Sequence, residues 1–454
     1  MGMHVTATPN PSSEVMTLKS FGYDLNTAIG DIVDNSIAAN SSNVKIYFYV
    51  DRDIPRFAII DDGCGMSKTD LIDNMSIGCK NPTDQRKGED LGRFGSGLKT
   101  ASFSQADRLI VLSKSGGREL SGCVWDLNKI IESNEWLLEI LDKSEIDEIK
   151  ESSFLKNTDS GTVVIWENLR GFPSEGVEYT QHLVANKCEA LAAYAGKTFH
   201  RFLSGKRKLA LELNGEKIEP IDPFVTNLAG YQEGPEEIFR TQYGKERSVI
   251  VKCHLLPLLT NWPEDVLKTH GGGKKISDEQ GLYIYRNRRL ISGGGWHGIL
   301  SKSELYNLSR VQIDFPSELD FMWNTDVKKS KIEIPSKIKE KLKSILRSPT
   351  KRSKIRHLHK GKISADTVYW NVIEKEKKVS YQINLESEEI VGTLRKLDKS
   401  LQKEILKFFV GVQNNIPFYH IYQRLSGSPK SIENELDEKQ ELRELLRRIE
   451  ARND

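Results

Sequence analysis

Three short stretches within residues 28–103 constrain this chain more than any bulk property does. The first is AIGDIVDNSIAAN, Ala28 to Asn40. Its apolar residues Ile29, Ile32, Val33 and Ile37 recur at helical spacing, which predicts a helix with one buried face. Asp31 and Asn35 fall one turn apart and share a face. A carboxylate and an amide so placed can meet a water and a hard cation together, and the amide oxygen suits magnesium. The polar flank of an ordinary solvated helix shows the same pair.

The second stretch is IIDDGCGM, Ile59 to Met66, at the end of the apolar run beginning at Phe57. Gly63 and Gly65 let the backbone turn sharply and let a flat ligand come close. The Asp61 carboxylate at a strand end can accept a hydrogen bond from an exocyclic amine. Met66 can lie against an aromatic ring. Asp-Gly is also a plain turn signal. The third stretch, LGRFGSGLKTASF from Leu91 to Phe103, places Gly92, Gly95, Ser96 and Gly97 before a helical run that opens with Leu98 and Lys99. Backbone amides at a helix start bind anions, and glycines let phosphate reach them. The pattern is nearly a P-loop, but Leu98 separates Gly97 from Lys99, and the preceding RKGED could not form the buried strand a P-loop needs.

Together the three stretches resemble the ATP-binding motifs of the GHKL superfamily, which includes gyrase B subunits, heat-shock-90-type chaperones, MutL proteins, histidine kinases and MORC ATPases. The glycine-rich stretch is closest in appearance to MORC and MutL proteins of bacterial type. The resemblance implies a Bergerat fold, ATP and Mg2+ as ligands, Asp31 as the catalytic acid position, Asn35 as the magnesium ligand and Asp61 as the adenine contact. It extends nucleotide contacts to Gly63, Gly65, Met66, Gly92, Gly95, Ser96, Gly97, Leu98 and Lys99. Relatives usually carry glutamate where this chain has Asp31, and Asp-Ala where it has Ala38-Ala39. A Gly-Thr-x-Val strand of the family matches Gly161 to Val164, and its threonine role falls on Thr162; a plain β-strand threonine would look alike.

Beyond the motifs, 38% hydrophobic and 29% charged residues describe a globular, polar chain. No apolar run approaches the length of a membrane span, and no secretory signal is visible at the start. The five cysteines are odd in number and widely spaced, without zinc spacing, so a reducing cytoplasmic setting is expected. The net charge of +2 is uninformative until its distribution is examined.

Along the chain, residues 1–23 read as a polar N-terminal arm, and residues 24–170 as the ATP-binding domain. The sequence predicts a helix near Asp24–Asn40, strands at Asn43–Val50 and Phe57–Asp61, and a helix from Ser67, a plausible N-cap, to Asn74. Ser76–Asp90 reads as a mobile lid. A helix at Gly97–Ala106 and a hairpin of Arg108–Lys114 with Glu119–Asp126 follow. SNEWLLEILDKSEIDEIKESS reads as an acidic helical surface insertion.

Residues 171–335 read as a β-rich, transducer-like second domain. It opens with a helix near Gln181–Leu203 that leads to the strand-like LALELNG and SVIVKCHLLP, and Gly281–Ile291 reads as a strand with a basic turn. The resemblance implies that a lysine from this domain reaches the γ-phosphate. In MORC proteins a threonine lies three residues before it, which matches Thr325 and Lys328, with Lys329 the alternative; a solvated basic loop accounts equally for this cluster. GGGKK (Gly271–Lys275) and Gly293–Gly295 read as mobile loops or hinges.

Residues 336–363 form a basic segment whose charge suits nucleic acid, with Lys351, Arg352, Lys354 and Arg356 as candidate contacts, or a linker with a solvated face. Residues 364–454 read as mainly helical, beginning with a hairpin and followed by helices near Ser387–Val410 and Ser431–Arg452.

The expected fold class is therefore α+β: an N-terminal Bergerat sandwich with helices on one face of a mixed sheet, a β-rich second domain and a helical C-terminal region. The expected activity is slow Mg-ATP hydrolysis by a MORC-like ATPase that gates closure of a homodimer acting on DNA. The family context implies an anti-phage or restriction-like setting with partner proteins from the same operon. A non-hydrolysing nucleotide-gated scaffold and a chaperone-like protein are the alternatives. A histidine kinase is weaker, because no helical segment with a phosphoacceptor histidine precedes the motifs.

Overall fold

A computed structural model describes residues 9–20, 22–51, 54–77, 97–172, 177–205, 208–241, 244–270, 272–303, 306–323, 333–346, 369–375 and 378–417. The described chain divides into two compact units. The first comprises residues up to Leu256, Gly281–Leu300 and Arg310–Ile345.

The first unit opens with helix α1 (Pro11–Lys19), where Asn10 caps the start and proline occupies the first turn. Val15 on this helix is fully buried. The described part of the expected polar arm is thus a docked helix, because one apolar residue finds the core. Helix α2 (Leu25–Ala38) follows, capped by Asp24, whose carboxylate accepts from the Thr27 amide at 3.0 Å.

Next come β1 (Asn43–Asp51), β2 (Ile54–Asp61) and α3 (Lys68–Met75). Ser67 caps α3, as the sequence predicted, and Asp70 completes a capping box that the sequence reading did not include. Helix α4 (Gly97–Gln105) leads into the hairpin β3 (Ala106–Lys114) and β4 (Ser121–Asp126). After α5 (Leu127–Ser133) the acidic segment does not form a purely helical insertion. Leu138–Leu141 pairs with β4 as edge strand β5, and short helices α6 (Lys143–Glu148) and α7 (Ser153–Lys156) follow. Strand β6 (Gly161–Leu169), helices α8 (Val177–Thr198) and α9 (His200–Leu203), and strands β7 (Ala210–Leu213) and β8 (Glu216–Lys217) complete this half of the unit.

The eight strands form one mixed sheet in the order β5-β4-β3-β6-β2-β1-β7-β8, with β1 and β7 the parallel pair. Side chains alternate along a strand, and here both faces are covered. Phe57 and Ile59 of β2 join one core with Ile29, Ile32, Val33 and Trp166. Ala58 and Ile60 join a second core with Leu141 and Ile146 from the acidic segment and with Leu155 just beyond it. Covering on both sides explains why FAII is a continuous apolar run rather than an alternating one. Two buried indoles tie helices to the sheet: Trp166 donates to Ser102 Oγ at 2.8 Å and Trp125 to the Met75 carbonyl at 3.1 Å.

The second sheet has five strands: β9 (Gln232–Thr241), β10 (Gly244–Leu255), β11 (Gly281–Arg286), β12 (Arg289–Gly293) and β13 (Ser309–Phe315), in the order β12-β11-β13-β10-β9. The single strand expected over Gly281–Ile291 is a hairpin. Asn287 and Arg288 form its two-residue turn, both at positive φ (46° and 73°), which fits the right-handed twist of the flanking strands. A helix at Ser336–Ile345 holds the described start of the basic segment.

In the second unit, Gly272–Glu279 is a helix rather than the glycine loop the sequence suggested; Lys274, Lys275 and Glu279 after its glycines are good helix formers. The hairpin β14 (Trp370–Lys375) with β15 (Lys378–Ile383) forms as expected. The single helix expected beyond it is two, Glu388–Leu394 and Lys399–Asn414, the latter started by an Asp398 cap. Ser431–Arg452 lies outside the described residues. No described helix is long and apolar enough to cross a membrane.

Candidate functional site

Strand β2 ends in Asp61, whose side chain is 7% exposed. Its Oδ2 accepts from Ser36 Oγ on α2 at 2.9 Å, and its Oδ1 accepts from the Gly63 amide at 2.9 Å. Burial pushes the Asp61 carboxyl above the ordinary carboxylate range, while these donors pull the other way. The neighbouring Asp62 behaves oppositely. It accepts from Ser41 Oγ at 2.6 Å, from the Ser42 and Asn43 amides at 2.8 Å each, and from Asn43 Nδ2 at 2.6 Å. Partial burial works against its charge, but these bonds outweigh it and lower its pKa. One carboxylate therefore pins the start of β1, and the other faces the site.

The glycines here are demanded by close approach. A Cβ on Gly63 would stand 2.7 Å from the Ala39 Cβ. Gly65 has φ +60°, and a Cβ there would stand 1.8 Å from the Lys114 carbonyl oxygen. Past this turn the Met66 amide donates to Ser113 Oγ at 2.9 Å, and Ser113 Oγ lies 3.0 Å from Thr162 Oγ1. Thr162 is the cross-strand partner of Asp61. The Met66 sulfur accepts from Asn74 at 3.6 Å.

Helix α2 supplies the other side. Asn35 is exposed, whereas Asp31 and Asp34 are buried at 5% and 1%. The Tyr23 hydroxyl donates to Asp31 Oδ2 at 3.2 Å, and Gln105 at the end of α4 holds the Tyr23 carbonyl at 2.9 Å. From the second sheet, Arg289 donates through Nε to Asp34 Oδ1 at 2.8 Å and brings Nη2 within 3.7 Å of Asp31 Oδ1. Burial opposes the charge on Arg289, but Asp34, Tyr194 and Asp31 outweigh it and raise its pKa.

Of the glycine-rich stretch, Gly97, Leu98 and Lys99 are described, and Gly92, Gly95 and Ser96 are not. A Cβ on Gly97 would meet nothing within 4 Å among the described residues. Leu98 packs against the main core. Lys99 is 4% exposed and donates to the Asn74 carbonyl at 2.6 Å. Thr325, Lys328 and Lys329 lie outside the described residues, as do Lys351, Arg352, Lys354 and Arg356 and residues 78–90 of the expected Ser76–Asp90 lid.

The structure thus brings Asp31, Asn35, Asp61, Gly63, Gly65, Met66 and Thr162 to the helix α2 and β2–β6 end of the first sheet. Sequence reasoning missed Tyr23, Ser36, Ser113 and Arg289. Only the helical register of Ser36, one residue past Asn35, offered a hint. The donor set fits a magnesium nucleotide. A buried carboxylate beside a threonine hydroxyl suits an adenine amine, and an exposed amide on the acid-bearing helix suits a cation that keeps most of its own waters. Among the described residues no cluster of three or more His, Cys, Asp or Glu could hold a metal by itself.

Residues 23–162 match the family model described as histidine kinase-, DNA gyrase B- and HSP90-like ATPase. The chain is similar to the chaperone protein HtpG of Rickettsia akari, 36% identical over 95 residues, which is 19% of this chain and 15% of that protein. It is also similar to HtpG of Coxiella burnetii, 30% identical over 121 residues, or 24% of this chain and 18% of that one. The chain therefore spans less than a fifth of the length of these curated relatives. Within those bounds, the N-terminal part of the chain is a GHKL-type ATPase domain, as its motifs implied.

Proposed function

We propose that the protein binds Mg-ATP at this site and hydrolyses it slowly. The observation that carries the reading is the buried Ser36–Asp61 hydrogen bond, which fastens the acid-bearing helix to the adenine motif and makes them one site. Asp61 accepts from the adenine amine, with Thr162 alongside. Asn35 contributes its amide oxygen to magnesium, which on binding offsets charge on the phosphates. Asp31, one turn before Asn35, orients or deprotonates the attacking water. The Gly97 amide, at the start of α4, donates to the phosphates, and Lys328 is assigned the balancing positive charge.

The test is phosphate release together with calorimetric ATP binding. Asp31→Ala should bind ATP and lose turnover by about a hundredfold or more. Asn35→Ala should lose magnesium-dependent affinity, and Asp61→Asn the preference for adenine over guanine nucleotides. ATP binding unchanged in both binding variants refutes the site. A wild-type protein that binds ATP without releasing phosphate supports the scaffold reading instead, in which the shorter Asp31 misses the water.

The wider reading is a MORC-like ATPase whose ATP-gated dimer acts on DNA, in an anti-phage or restriction-like setting. Its support is the composition of Ser336–Lys362, where Glu340 is the one acidic residue. Light scattering with a slowly hydrolysed ATP analogue, then DNA binding at two salt concentrations, tests it; a monomer throughout removes it. The similarity to HtpG favours a second reading, a nucleotide-gated chaperone. Suppression of aggregation of an unfolded client, dependent on ATP and indifferent to DNA, would select it.

A further inference from the structure

Arg289 stands 255 positions after Asp34 in the sequence, yet its guanidinium lies against helix α2. The two-residue turn at Asn287 and Arg288 fixes the β11–β12 register, so that Arg289 opens β12 directly opposite Arg286. Arg289 is 2% exposed. Its Nε is spent on Asp34 at 2.8 Å, while its Nη2 makes no hydrogen bond among the described residues and faces Asp31 Oδ1 at 3.7 Å. The other Asp31 oxygen takes the Tyr23 hydroxyl.

A second observation points the same way. Gly30 lies inside α2, where glycine is less favourable than alanine. A Cβ there would stand 2.8 Å from Tyr194 Oη and 3.3 Å from Arg289 Nη2. Position 30 is bare where the arginine lies along the helix.

We propose that Arg289 is a positioning residue for hydrolysis: anchored on Asp34, it orients the Asp31 carboxylate and so couples the second sheet to the chemical step. This rests on the reading of Asp31 as the group that handles the attacking water. An aspartate reaches one methylene less far than a glutamate, so its aim matters more than its basicity. A guanidinium keeps its proton throughout the working pH range, so it can orient without titrating. Its planar fork divides the work, Nε fixed on Asp34 and the neighbouring Nη2 turned to Asp31. At 3.7 Å the contact with Asp31 is a charge attraction rather than a hydrogen bond. Displacement of the β11–β12 hairpin would therefore move the carboxylate.

The experiment is a kinetic double-mutant cycle on the full chain, with ATP affinity measured by calorimetry. Arg289→Met should lower kcat by about a hundredfold, the scale expected for a misplacement of about 1 Å, and leave the ATP dissociation constant within about twofold. Arg289→Lys keeps the charge without the fork and should recover about tenfold of that loss. In the Asp31→Ala background, Arg289→Met should change the residual turnover by less than about twofold, because its route of action is gone. A merely structural arginine would lower turnover equally in both backgrounds. An equal fall in both, or wild-type kcat in Arg289→Met, overturns the proposal alone. Full turnover in Asp31→Ala overturns the reading of Asp31 and this proposal with it. If Arg289→Met does not fold, Arg289→Lys in the two backgrounds is read the same way.

Discussion

Replacing Ser36 with alanine removes one hydroxyl from a residue 1% exposed and deprives the Asp61 carboxylate of its donor on α2. A hydrogen bond to a charged group contributes about 1.5–3 kcal/mol, so Ser36→Ala should lower unfolding free energy by about that much near pH 7. The pH dependence separates this from simple loss of packing. Asp61 already has its pKa raised in the folded state, chiefly by burial. Between the ordinary value of 3.8 and the raised one, the folded protein holds more protons than the unfolded chain, so stability declines as pH rises through that window. Losing Ser36 weakens only the ionised form and raises the folded pKa further. The deficit is then fully present above the folded pKa and shrinks as pH falls toward 3.8. Urea denaturation of wild type and Ser36→Ala at pH 7 and pH 4.5 reads it. ATP affinity should also fail at a higher pH in the variant, because an adenine amine needs the ionised acceptor. A deficit of equal size at both pH values, or one below about 0.5 kcal/mol at pH 7, would refute the argument.

Two further outcomes can be checked on the same preparations. His254 is 3% exposed, bonded to Tyr231 and Gln312, and burial pushes its pKa down to about 4 from 6.5. The unfolded chain binds the proton first, so stability should fall by up to about 3 kcal/mol as pH drops through that window, and a pH-jump denaturation series on His254→Gln should lack this fraction. Gly65→Ala meets the Lys114 carbonyl from a left-handed backbone and should cost at least about 2 kcal/mol in thermal unfolding, with loss of ATP binding; a variant matching wild type would contradict the turn geometry.

The nucleotide motifs were legible because each is local. Helical spacing over Ala28–Asn40, the apolar run into Asp61, and the Ser67 N-cap announce their own structure within a few residues. The β3–β4 hairpin was legible through its Ser115-Gly116-Gly117 turn. What was not legible depends on distant partners. Asp31 reads as a solvated helix residue until Tyr23 and Arg289 are seen to enclose it. The acidic segment reads as a surface helix because its charges dominate, while its Leu141 and Ile146 cover the second face of the sheet. Strand β9, QEGPEEIFRT, carries no alternation strong enough to announce itself; hydrogen bonds to β10 define it.

Strand β1 has a practical consequence for anyone expressing the nucleotide domain alone. The segment matched to the ATPase family ends at residue 162, two residues into β6, which continues to Leu169. It also omits β7, which pairs with Asn43–Ile46, and α8, whose Val184, Leu191 and Ala195 fill the same core as Phe48 and Ile29. A fragment cut at those limits would bare a β1 edge ready to pair with another chain, along with the apolar floor beneath α8. Such a fragment would be recovered as aggregate, and the shortest soluble piece must begin before Val15 and run past Leu213.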